Sequence, residues 1–346
     1  MFSRKELDQY PNRFSEYYNK NPEDLIADNK FREKPGLCDP KSKYYDIMDM
    51  AAVHANFSCV ELLSNVIDGS SKTEKKNFSN KQNTDYIKKW GKNLGALDIG
   101  ITQLKPYHLY SHKGRRDTYG KKVNNTHPYA IAFTVEMNLE AINKAPQSPV
   151  IIESSQRYLQ SGIIASQIAI FIRELGYSAK AHIDGNYEVV CPLVAKDAGL
   201  GELSRMGLLM TPKQGPRVRI AVITTDLPLI CDEKLDDSAM IEFCTLCKKC
   251  AENCPSKSIP FDDRKNIEGV NRWQINSNSC FLYWCIAGTD CGKCMHVCPY
   301  AHPNNFLHNS IRFGIKHSFL FRRIALWMDD LFYGRRPKEK HKDSSQ

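Results

Sequence analysis

The chain has 346 residues, with 48 Lys and Arg against 39 Asp and Glu, for a formal charge of +9. Its 42% apolar and 25% charged residues are ordinary for a globular protein, which excludes a disordered chain or a fibre. No apolar run approaches the ~20 residues that a membrane-spanning helix needs, and the length suits two domains and a small module.

The N-terminal stretch MFSRKELDQYPNRF has no apolar core and no arginine pair. No export signal is read there, so the cytoplasm is the expected compartment. Residues 44–65 carry helical signals, among them Tyr45, Ile47, Met48, Ala51, Ala52 and Ala55. Residues 69–85 are polar and breaker-rich and predict an exposed loop. Seven lysines between 72 and 92 read as a solvated face rather than a nucleic-acid contact.

From residue 93 the pattern becomes α/β. Residues 96–101 and 129–135 predict strands from their apolar and β-branched content. Residues 156–176 predict a helix, with Ile164, Ile168, Phe171, Ile172 and Leu175 at helical spacing and Gly176 as its stop. Residues 177–183 and 187–194 read as strands on either side of a turn at Asp184, Gly185 and Asn186, and residues 217–223 as another strand. The tail 312–346 has nine Lys and Arg against four Asp and Glu. It is expected to pack on the core with a solvated end, contact with a membrane surface or a partner being the alternative.

Thirteen cysteines are present, and nine fall between Cys244 and Cys298. Such crowding points to metal rather than to a disulfide scaffold. The first motif is Cys244-x2-Cys247-x2-Cys250-x3-Cys254-Pro255, and the second is Cys280-x10-Cys291-x2-Cys294-x3-Cys298-Pro299. Three closely spaced thiolates wrap one cubane, and the fourth, followed by Pro, ligates the other. One 4Fe-4S cluster is therefore assigned to Cys244, Cys247, Cys250 and Cys298, and a second to Cys254, Cys280, Cys291 and Cys294. Zinc is the competing reading, but zinc sites do not need this run. Cys285 is read as packing. Two clusters joined to a large α/β body serve to feed electrons to another redox centre.

The run DAGLGELSRMGLLMTPKQGPRVRIAVITTDLPL (197–229) resembles the corrinoid-binding region of reductive dehalogenases. So do LGALDIGITQLKPYHLYSHKGR in the first half of the core and the two cysteine motifs, and the resemblance covers roughly residues 90–310. Epoxyqueuosine reductases, which act on tRNA, are a similar sister family. The resemblance implies a nitroreductase-like α/β (α+β) corrinoid-binding core with a C-terminal ferredoxin-like domain holding two 4Fe-4S clusters. The implied divisions are an N-terminal, partly helical segment over 1–92, the corrinoid core over 93–240, the cluster domain over 241–311 and the basic tail over 312–346. It further implies a cobamide bound base-off, since the D-x-H-x-x-G pattern is absent around His182. Gly199, Leu200, Gly201, Ser204, Arg205, Gly207, Leu208, Leu209 and Thr211 are the implied cofactor contacts, the glycines serving close backbone approach to a flat ligand.

The implied reaction is reductive removal of halide from an organohalide by a cob(I)amide, with Tyr158, at the start of the predicted helix, as proton donor. Arg219, or Arg217 two residues before it on the same strand face, is the cation that lowers the phenol pKa. Asn186 lines the same pocket. The implied electron donor is of the ferredoxin or flavodoxin type, and dimers are common in such proteins. The alternatives are a related reductase acting on a tRNA epoxide and a non-catalytic electron-transfer or corrinoid-carrying protein.

Overall fold

The computed structural model describes residues 1–115, 118–235 and 237–337. The first third is helical: α1 (Pro11–Lys20), α2 (Asp24–Arg32), α3 (Ile47–Leu63) and α4 (Asn80–Asn93). Helix α3 starts where the Asp46 carboxylate accepts the amides of Met48 and Asp49. Helix α4 begins inside the stretch predicted as a loop. Ser79 and Gln82 cap each other's amides there, a capping box that the polar composition of 69–85 conceals.

The centre is a four-stranded antiparallel sheet in the order β1 (Asp98–Gln103), β2 (Tyr129–Glu136), β6 (Val218–Thr225) and β3 (Ala179–His182). Alternation gives each face its own core. Ile99, Ile101, Ile131, Phe133, Ala221 and Ile223 face the long helix α5 (Ser148–Glu174), against its Ile164, Ile168 and Ile172. Ala130, Ala132 and Val222 face the other way, onto Val194 and Ala195 of α6 (Cys191–Asp197).

Two elements differ from the sequence-based expectation. Helix α5 begins at Ser148, with Pro149 in its first turn, where a missing N–H costs nothing. Tyr158 therefore lies well inside the helix and not at its start. Residues 187–194 form no strand: Val189 makes one bridge to Leu109, and Pro192 opens α6. Their β-branched content reads as a strand, but the turn of helix buries the same Val194 in the sheet's second core.

A hairpin of β4 (Glu202–Leu203) and β5 (Leu209–Met210) leads from α6 to β6. The cysteine module follows with α7 (Ser238–Cys247) and α8 (Ser277–Ala287), and the chain closes with α9 (Phe306–His317) and α10 (Phe319–Tyr333). Met206 and Met210 of the hairpin share one core with Cys247, Cys250, Cys254 and Cys298 of the module and with Ile315 and Ala325 of the last two helices. The sheet layer and the cysteine module are thus packed as one body. Cys285 is buried among Phe31 and Phe281, as packing requires. Among the described residues, no helix is long and apolar enough to cross a membrane.

Candidate functional site

The eight motif cysteines fall into two sets. Cys298 lies within electrostatic reach of Cys244, Cys247 and Cys250. Cys294 lies within reach of Cys291, Cys280 and Cys254. Each set draws its fourth thiol from the other motif, as the spacing requires. Cys250 also reaches Cys294, so the two sets are neighbours. Burial, then the neighbouring thiolates, pushes Cys291 up to about 12 and raises Cys294 and Cys298 well above an ordinary thiol. Such thiols ionise only against concentrated positive charge, which bound iron provides. Among the described residues, no three His, Cys, Asp or Glu side chains meet closely enough to hold a single ion. Four thiols per set are the donors that a 4Fe-4S cluster takes.

The second constellation centres on Tyr158. Tyr158 and Ser154 are four residues apart on α5 and so share a face. Arg219 of β6 alternates with Ala221 and Ile223, which turns it toward the same helix. Its guanidinium lies 4.8 Å over the Tyr158 ring. It donates to the Ser154 hydroxyl at 2.5 Å and to the Asp290 carboxylate at 2.7 Å. Ser154 also donates to Asp290, at 2.5 Å. Asp290 directly precedes Cys291, so this triad ties the helix and the sheet to the second set of thiols.

Arg219 is the largest single influence on the Tyr158 phenol and pulls its pKa down. Burial, with Asp184 and Asp290, outweighs that pull, so the net direction is up. The expectation of a lowered phenol is corrected: in this pocket Tyr158 stays protonated well past neutrality. Burial raises Tyr187 and Asp290 as well.

Two cavities meet at this point. One, of about 200 Å³, is open and mostly apolar, with Tyr110, Leu208, Leu209, Val218, Arg219 and Ile220 in its wall. The other, of about 390 Å³, is bounded by Cys38, His54 and Phe57 from the helical first third and by Asp184, Trp284 and Asp290. Tyr158 and Tyr187 stand in the wall of both. Two buried polar atoms of residues in their walls have no hydrogen-bond partner among the described residues: Arg219 Nε and Asp290 Oδ1. Asn186, expected in the same pocket, lines neither cavity, although its buried Nδ2 is also without a partner among the described residues. Buried polar atoms left unpaired are rare and mark a place for a polar group to bind.

Of the residues expected to hold the cofactor, Leu208 and Leu209 line the open cavity. The glycines serve the protein itself. A Cβ on Gly199 would lie 2.4 Å from the Glu233 carbonyl oxygen, and one on Gly201 2.2 Å from that of Met210. Gly207 takes φ +76° in the hairpin turn. Leu200 is buried in the sheet's second core. Ser204 donates to the Leu208 carbonyl at 2.8 Å and Thr211 to that of Gly215 at 3.0 Å. Arg205 clamps the cysteine module, donating to the carbonyls of Cys244, Pro260 and Asp262. Arg217 precedes β6 and is almost wholly buried, donating to the carbonyls of Met137 at 2.6 Å and Ala301 at 2.7 Å. It is a staple between core and module, and Arg219 is the arginine at Tyr158. Ser154 and Asp290 were not legible in the sequence as site residues, and Tyr187 was legible there only as a substitute proton donor for Tyr158. Placing the helix start at Pro149 would have exposed Ser154, one turn before Tyr158.

His182 is enclosed. It meets the Thr224 hydroxyl through Nε2 at 3.0 Å and accepts the Glu188 amide at Nδ1, at 3.3 Å. Burial pulls it down to about 3, so it is neutral and both nitrogens are engaged.

Residues 243–302 match the family described as 4Fe-4S dicluster domain. Over 220 residues the chain is 36% identical to a tetrachloroethene reductive dehalogenase of Sulfurospirillum multivorans, covering 61% of this chain and 43% of that one. A solved catabolic reductive dehalogenase in complex with 3-bromo-4-hydroxybenzoic acid superposes with TM-score 0.74 at 26% identity, over 82% of this chain and 42% of that one. An epoxyqueuosine reductase of Atelocyanobacterium thalassa is more distant, 32% identical over 117 residues, covering 31% of this chain and 35% of that one. The chain spans less than half the length of the two reductive dehalogenases it matches.

Proposed function

We propose that this homologue of the reductive dehalogenases is a corrinoid- and iron–sulfur-dependent oxidoreductase that removes halide from an organohalide. The observation that carries the reading is the phenol of Tyr158. It stands under the Arg219 guanidinium in the wall shared by two cavities, and Asp290 ties that guanidinium to the cysteine module.

Cys244, Cys247, Cys250 and Cys298 would hold one cluster, and Cys254, Cys280, Cys291 and Cys294 the other. A flat, largely apolar macrocycle would lie across the mouth of the open cavity, against Leu208, Leu209, Val218 and Ile220. A reduced corrinoid supplies the electrons that break the carbon–halogen bond. With both His182 nitrogens engaged, that histidine would not be the residue that holds a corrinoid. Clusters pass electrons singly, which suits a ferredoxin or flavodoxin as donor.

The remaining steps fall to side chains. The cavity formed with the helical first third would receive the organohalide. Tyr158 donates the proton that replaces the halide on carbon. Arg219 stabilises the phenolate left behind, and Asp290 with Ser154 holds Arg219 in place. A phenol whose pKa stays above neutrality carries its proton at the working pH, as an acid must.

The test is anaerobic loading with iron, sulfide and a cobamide, followed by halide release from brominated and chlorinated organics beside an epoxyqueuosine-containing tRNA. Halide release with an unchanged tRNA is expected. Reduction of the tRNA without halide release would replace this reading with the tRNA one.

A further inference from the structure

The last two helices turn their charged side inward. In α10 the buried positions are Arg322, Ala325 and Asp329. Arg322 donates to the Ile315 carbonyl at 2.9 Å and pairs with Glu242. Asp329 pairs with Lys249 and lies 2.6 Å from His302. The outward stripe is Leu320, Ile324, Trp327 and Leu331, at the i, i+4, i+7, i+11 spacing of one helical face. Leu320 is 67%, Trp327 65% and Leu331 62% exposed. Phe306 and Phe313 of α9, with Phe332, are also outward-facing.

The hairpin is rigidly seated. A Cβ on Gly314 would lie 2.4 Å from the Phe321 ring, so the two helices cross in close contact there. Ile315 and Ala325 sit in the core that contains Cys247, Cys250 and Cys298. The apolar stripe is therefore a face of the folded module, not a loose end.

The exposed charge on the hairpin and the turn after it has one sign, the half-exposed Glu242 beside it being paired with Arg322. The exposed ionisable residues on this described stretch are Lys316, His317, Arg323 and Arg336, while Asp329 and Asp330 are held in ion pairs with Lys249 and Arg335. Single exposed apolar side chains need no explanation, but a continuous stripe marks a contact surface. Leucine and aromatic side chains ringed by cations match the boundary of an anionic bilayer. Apolar side chains sink about 5–10 Å into it, Trp sits at headgroup level and Lys and Arg meet the phosphates. We infer that the α9–α10 hairpin rests on a membrane surface rich in anionic lipid. The inference is independent of the reductase reading.

The test is flotation of the full, cluster-loaded chain with vesicles of phosphatidylcholine, alone or mixed with phosphatidylglycerol. The chain should float with the mixed vesicles, less with phosphatidylcholine alone, and less as salt rises. Lys316→Gln with Arg323→Gln should lower partitioning about 30-fold, from roughly 1 kcal/mol per cation. Leu320→Gln, Trp327→Gln and Leu331→Gln together should abolish it with iron per chain unchanged, which separates lost contact from lost folding. Wild type that does not float, or floats equally at all salt concentrations, overturns the inference. So does an apolar triple variant that floats as wild type, or one that only turns a dimer into a monomer in sedimentation. The last result would make the stripe a contact between copies. The wild-type salt series stands even where a variant fails to fold.

Discussion

Arg219 stacks its guanidinium 4.8 Å over the ring of Tyr158. The same group is held from behind by Asp290, the residue beside Cys291. Tyr158 and the cysteine module therefore share one arginine.

Arg219→Gln should slow turnover ~10²–10³-fold, the usual cost of removing one donor aimed at developing negative charge. Arg219 is the largest influence lowering the Tyr158 pKa, so its loss raises that pKa further. The alkaline limb of the rate profile should then move to higher pH. Combined with Tyr158→Phe, the variant should be no slower than the slower single one, because the two act as a unit. Additive losses would separate them.

The protein prepared without oxygen should hold about eight irons, in two cubanes of four. Cys250→Ala should remove one cluster. It should also loosen the second, since Cys250 lies within reach of Cys294. Iron analysis with electron paramagnetic resonance of the reduced protein checks both points. Stoichiometric zinc with almost no iron would refute the ligand assignment.

Much of this was legible in the sequence, for identifiable reasons. The cysteine spacing implies two sets of four thiols, and the residues 243–302 that carry it match a 4Fe-4S dicluster domain. The strands at 98–103, 129–136 and 218–225 lie within two residues of their predicted positions, because alternating apolar residues face two different cores. Residues 187–194 misled because β-branched residues also fill a buried helix turn. The role of the glycines near 199–207 is not legible from sequence, because a backbone approached by protein and one approached by a ligand leave the same residue. Asp290 was invisible because its partners, Ser154 and Arg219, lie 136 and 71 positions away.

Stability should fall with acid in a window set by His182. The ring is neutral in the fold, pulled by burial to about 3 against ~6.5 in the unfolded chain. The unfolded chain binds the extra proton, so the stabilisation is complete above ~6.5 and is lost as the pH falls toward 3. Between pH 6.5 and 5 this one group accounts for roughly 2 kcal/mol. Denaturant unfolding of wild type and His182→Gln at both pH values should show that difference only in wild type. Equal slopes in the two proteins would mean that His182 is not the titrating group.

The most direct measurement is halide release by cobamide-loaded Tyr158→Phe beside wild type, at equal iron and cobamide content. Phenylalanine keeps the ring under Arg219 and removes only the hydroxyl, so stability should change by about 0.5–1.5 kcal/mol at most. Turnover should fall ~10²–10⁴-fold, the range for a positioned general acid. A Tyr158→Phe enzyme that releases halide at the wild-type rate with both cofactors in place would contradict the assignment of Tyr158 as the acid.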